Sequence, residues 1–152
     1  MSNNGRQRFP TNMSILSLTN STASPASHSA QGALSSADQW NQWIDQRLRE
    51  WAQLSNDSPA HDEDDGLEMP RRAAIENALA VARWFLKRGY PAASDVVANG
   101  DGGIFFHWGN PGKTFLTFEF LANGGGLYTA SKGLRCVDSR RFTPQQLQCV
   151  GN

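Results

Sequence analysis

His107, Asp101 and Glu119 are the residues whose types could act together chemically. An imidazole beside a carboxylate is the minimum set for general acid–base work, the ring moving the proton and the carboxylate orienting the ring. All three fall in or beside one predicted hairpin. The sequence supplies no group to complete them. No Ser or Cys flanks His107, and no His-x-x-x-His or paired-Cys spacing offers metal ligands. Gly124-Gly125-Gly126 lies between predicted strands, not ahead of a helix where it would cradle a phosphate. A small enzyme with His107 as acid/base is therefore the third of three readings, and no catalytic residue is assigned. Cys136 and Cys149 are too far apart for a Cys-x-x-Cys site and too few for a disulfide framework, so they read as buried or part-exposed thiols. His61 precedes four carboxylates, which suggests calcium. Placing Gly66 at the sixth position of an EF-hand loop puts His61 first and Arg72 twelfth, where an oxygen ligand and a Glu are required. The run reads as a solvated acidic linker, with no metal and no cofactor expected.

The elements that must position these residues follow from charge and periodicity. The chain has 152 residues, with 14 Lys+Arg against 14 Asp+Glu. That neutrality hides segregation. Residues 1–37 carry two arginines and no acid; residues 38–69 carry nine acids against two arginines; residues 70–152 carry ten bases against five acids. The acidic segment is thus expected to fold back on Arg71, Arg72 and the basic sheet turns, masking them. At this length one domain is the default. No apolar run approaches the roughly 20 residues of a membrane span. Met13 to Leu18 is too short and hydroxyl-rich for a secretory signal, so a cytoplasmic location is expected, with no membrane partner.

Residues 11–37 hold eight serines and three threonines, too little apolar surface to offset the entropy of ordering, and residues 1–35 read as a disordered tail. Ser36 with Gln39 suggests a capping box opening a helix over residues 36–55. Its stripe is Trp40, Trp43, Ile44, Leu48, Trp51 and Leu54. Residues 56–69 form the acidic linker. A second helix starts at Pro70 and ends at Gly89, with Ala74, Ile75, Ala78, Leu79, Ala82, Phe85 and Leu86 on its apolar face. From residue 93 the period becomes two, with glycine-rich turns. Strands are expected around Val96-Val97 and over residues 104–108, 114–121, 127–131 and 134–137, then a short helix capped by Thr143 and Gln146. The fold class is α+β: two helices packed on a small antiparallel β-meander of three to five strands, residues 70–152 forming the helix-plus-meander unit.

Pairing Trp108 with Thr114, Phe106 with Leu116 and Ile104 with Phe118 puts Ile104, Phe106, Trp108, Leu116, Phe118 and Phe120 on the core face, against the alanine-lined second helix. The other face then carries Phe105, His107, Phe115, Thr117 and Glu119. Two phenylalanines there call for a cover: the tryptophan helix, a second copy or a ligand. The leading functional reading is a non-enzymatic interaction module that binds another protein, or itself, through Trp40, Trp43, Trp51, Phe105, His107 and Phe115. The alternative is single-stranded nucleic acid stacking on the aromatics, held by Lys113, Lys132, Arg135, Arg140 and Arg141.

Asp101-Gly102-Gly103-Ile104-Phe105-Phe106-His107-Trp108 resembles short bacterial proteins of unknown function, in which an amphipathic helix ends near a Pro and a D-G-G-hydrophobic strand ending in Trp leads into a meander. The resemblance covers residues 70–131. It implies a fold and no activity. Those proteins usually carry a carboxylate before the Trp, where this chain has His107, so no shared role is assigned to that position.

Overall fold

The computed structural model describes residues 34–57, 67–110 and 112–149. Residues 1–33 of the expected tail, and the stretch 58–66 of the acidic linker with His61, lie outside the described residues.

The first helix, α1, starts one residue earlier than the sequence suggests. Ser35, not Ser36, is its N-cap, its Oγ accepting the Asp38 N–H at 3.1 Å. Ser36 is diverted to tertiary work: its Oγ accepts the Ala92 N–H at 2.8 Å and donates to the Tyr90 carbonyl at 3.2 Å. The helix runs as α-helical Ser36–Gln42, π-helical Trp43–Leu48 and α-helical Arg49–Asp57. Its buried residues Trp40, Ile44 and Leu48 recur every four residues. In a pure α-helix each such step turns the stripe by about 40°. The wider π turn rotates it the other way, which keeps the three on one face.

The second helix, α2, spans Arg72–Lys87, beginning two residues after the expected Pro70. Arg71 stays extended because its N–H donates to Gly102 O at 2.8 Å, while the Glu68 N–H donates to Gly100 O at 2.7 Å. These bonds lay residues 68–71 along the turn 99–103, so the backbone there is paired before a helix can form. A short α3, Pro144–Gln148, carries the expected capping box of Thr143 and Gln146.

Five antiparallel strands follow in sequence order: β1 Asp95–Ala98, β2 Ile104–Gly109, β3 Thr114–Phe120, β4 Gly126–Lys132 and β5 Arg135–Phe142. The first hairpin pairs Trp108 with Leu116, Phe106 with Phe118 and Ile104 with Phe120, two residues away from the expected register. Gly109 extends β2 to pair with Phe115. It holds φ +85°, and a Cβ there would collide with the Thr114 carbonyl, so only glycine allows this longer hairpin. A slip of two preserves side-chain parity, and the predicted face assignment stands. Strand β5 is longer than the expected 134–137, with a bulge where Ala130 pairs with Asp138 and Ser131 with Cys136.

One core joins all three helices to one face of the sheet. Trp40 stacks on Phe85 (5.7 Å, 26°) and meets Phe106 and Trp108 at 5.7 and 6.1 Å. Three of the five indole N–H groups donate to backbone: Trp40 to Tyr90 O (2.9 Å), Trp43 to Ala93 O (3.3 Å) and Trp108 to Pro91 O (3.0 Å). Asn77, a buried polar residue inside α2, donates to Gly124 O at 2.6 Å and so anchors the helix to the β3–β4 turn.

Candidate functional site: the open sheet face

Because both long helices lie on the face of Phe106, Trp108 and Phe118, the opposite face has no cover among the described residues. The tryptophan helix, one of the expected covers, packs on the inner face instead. Cross-strand register arranges the open face in rows. One holds Val97, Phe105, Glu119, Leu127 and Arg141; the next holds Asp95, His107, Thr117, Thr129 and Ser139. Phe105 stacks on His107 (5.3 Å, 26°), and His107 meets Phe115 at 5.2 Å. The three rings form a short half-buried aromatic strip.

Burial pushes the His107 imidazole below its ordinary value, and the Asp95 carboxylate opposite partly opposes that shift. The ring is therefore neutral at pH 7. Since protonation is disfavoured only in the folded state, His107 contributes stability at pH above about 6.5 that is lost as the pH falls below it. Thermal melting followed from pH 7.5 to 5 is expected to show a loss that His107→Gln reduces; an unchanged profile in the variant would reject this assignment.

The acid–base triplet of the sequence does not assemble. Glu119 accepts a hydrogen bond from Asn99 Nδ2 at 2.9 Å. Asn99 Oδ1 in turn accepts the N–H groups of Asp101 and Gly103, each at 2.8 Å. Glu119 thus holds the organiser of the 99–103 turn, and Asp101 is part of that turn. Gly103 is required there, since a Cβ would come within 2.5 Å of the Phe120 carbonyl oxygen. Asn99 carries no sequence signal beyond being a turn former; its four-residue reach appears only in the folded loop.

The remaining candidates separate. Trp40, expected as a partner anchor, is 0% exposed and belongs to the core, so a partner cannot reach it. Trp43 and Trp51 are half-buried, and the Arg47 guanidinium lies 5.9 Å from each ring while donating to Val96 O at 3.4 Å. The five expected phosphate contacts are dispersed. Lys113, Lys132 and Arg135 share the end of the sheet where the Gly133 N–H meets Lys113 O, and Arg135 pairs with Lys132. Arg140 lies on the helix side of β5 and bridges Asp138 at 3.3 Å, whereas Arg141 is on the open face. Parity makes this split unavoidable, because adjacent strand residues point to opposite faces. Among the acidic segment's residues, Glu68 bridges Arg71 at 2.5 Å, while Arg72 pairs with Glu76 of its own helix at 2.7 Å. Cys136 and Cys149 are exposed free thiols, more open than expected. No cluster of metal-ligating residues occurs among the described residues, and none of their helices is long and apolar enough to cross a membrane.

These features define an α+β protein with a one-sided antiparallel meander and an aromatic strip on its open face. No protein-family model matches the chain, and neither the curated proteins nor the solved structures give a match.

Proposed function

We propose that this protein is a non-enzymatic interaction module whose open sheet face binds another protein, with Phe105, His107 and Phe115 as its apolar centre. The observation that supports the reading is the placement of both long helices on the opposite face, which leaves this strip available. Charge favours protein over nucleic acid as the partner. The face carries Asp95 and Glu119 against Arg141, with His107 neutral, so it lacks the positive field that phosphate binding needs. A neutral aromatic patch rimmed by Thr117, Thr129 and both signs of charge matches the make-up of protein interfaces.

A photoreactive residue at Thr117 on the open face, compared with one at Arg83 on α2, tests this in cells. The reading expects one protein cross-linked from position 117 only. That protein, once purified, should bind the wild type and lose roughly tenfold or more in affinity to Phe115→Ser, which corresponds to about 1.4 kcal/mol. Equal cross-linking from both positions would overturn the reading. Oligonucleotide binding that is lost with Phe115→Ser and falls steeply with salt would replace it with the nucleic-acid alternative.

A further inference from the structure

The last strand of the sheet differs from the others. Its eight residues are mostly exposed on both faces, and its outer edge has no partner among the described residues. The opposite edge, β1, has four residues, and its Val96 carbonyl accepts from Arg47. An exposed edge of this length is a template for another strand unless charge or bulges blunt it. β5 has both devices: arginines at 135, 140 and 141, and the bulge at Val137. Its charges nevertheless alternate in a way that fits one partner.

We propose that β5 pairs antiparallel with β5 of a second copy, about a two-fold axis at Ser139, joining two five-stranded sheets into one. Asp138 and Arg140 flank Ser139 on the helix side of the strand. The two-fold therefore sets Asp138 of each copy opposite Arg140 of the other, giving two cross-strand ion pairs from a single motif. On the other face, Val137, 63% exposed in one chain, lies opposite the aliphatic stem of Arg141. Neighbouring registers fail electrostatically. Centring on Asp138 sets it against itself, and centring on Arg140 does the same for the arginine. The bulge confines the pairing to the stretch around Val137 to Arg141, close to a typical strand length of about 5–6 residues. The two open faces become continuous, so the dimer would present the aromatic strip twice.

Sedimentation of the full chain over a concentration series should show the 16.7 kDa mass doubling. Asp138→Arg and Arg140→Asp should each abolish the doubling, and the double swap should restore it, with melting little changed because both side chains are exposed or half-exposed. With Cys136 and Cys149 replaced by Ser, Ser139→Cys should form a disulfide-linked dimer under mild oxidation. Facing residues in such a pair have Cα atoms about 4.5–5.5 Å apart. Arg141→Cys should not, since its counterpart lies roughly 13 Å along the strand. A monomer at every concentration, equal cross-linking at positions 139 and 141, or dimers insensitive to the charge swaps would overturn the proposal. Dimers abolished by Phe115→Ser but not by Asp138→Arg would place the contact on the open face and overturn it as well.

Discussion

Trp40→Ala lowers the stability of this protein by about 3–5 kcal/mol, the range for truncating a large buried aromatic. The side chain is fully buried and touches Phe85, Phe106 and Trp108, so its removal leaves a cavity bounded by α1, α2 and β2 that none of the three can close alone. Cavity and transfer terms dominate. The lost hydrogen bond to Tyr90 O adds about 0.5–1.5 kcal/mol at most, because the Ser36 hydroxyl still donates to that carbonyl. Against a total of about 5–15 kcal/mol, the loss is enough to release α1 from the sheet or unfold the chain. Urea denaturation followed by far-UV circular dichroism measures it. A variant as stable as the wild type would show that the helix is not held by its own chain, and would return the tryptophans to the role of partner anchors.

Phe118→Ala has an effect of similar size for a different reason. Phe118 sits at the centre of β3, fully buried, stacked on Phe120 (4.8 Å, 24°) and Phe142 (5.4 Å, 16°). Its pairing with Phe106 and Tyr128 places it in the middle of the sheet, where strand shifts that would fill the space break ladders on both sides. A cost of about 3–5 kcal/mol is expected. Three residues earlier on the same strand, Phe115→Ala should cost about 1 kcal/mol, since the half-buried open-face ring meets His107 and lies outside the core. Comparing the two urea midpoints tests side-chain parity directly. Equal losses would mean that the open face is buried in the working protein, and losses in reverse order would mean that the sheet is turned over.

Much of this was legible from residues alone. The 3.6-residue stripes on 36–55 and 70–88 mark two helices, and alternation from Ile104 to Phe120 marks both strands of the central hairpin and their buried face. Alternation survives a register error of two, which is why the face was readable although the pairing was not. The terminal helix was readable because Thr143 and Gln146 bond locally, at 2.8 and 3.3 Å. Strand β5 was readable only at its start. Between Val137 and Phe142 the residues Asp138 to Arg141 are polar on both faces, and a stretch without an apolar face leaves no alternation to read.

The candidate site was half legible. Phe105, His107 and Phe115 stand out as apolar or aromatic positions on a face expected to be wet, and they do cluster. The tryptophans stand out as strongly, yet a stripe on a helix says that the surface must be covered and not by what. Burying Trp40 against Phe85 and Phe106 satisfies the stripe within one chain.

What the amino-acid sequence determined by itself was local: which segments form helices, which strands alternate, which residues share a face, and where turns and caps fall. Those features depend on neighbours within a few residues. The tertiary structure alone decided which face of the sheet α1 would cover, that Ser36 would bond residues 90–92 in place of capping its helix, that Arg71 would be held extended against Gly102, and that Asn77 would hold the turn at Gly124. Each joins groups far apart in the chain whose free energies differ by a few kcal/mol between alternatives, and that difference exists only once the whole core is assembled.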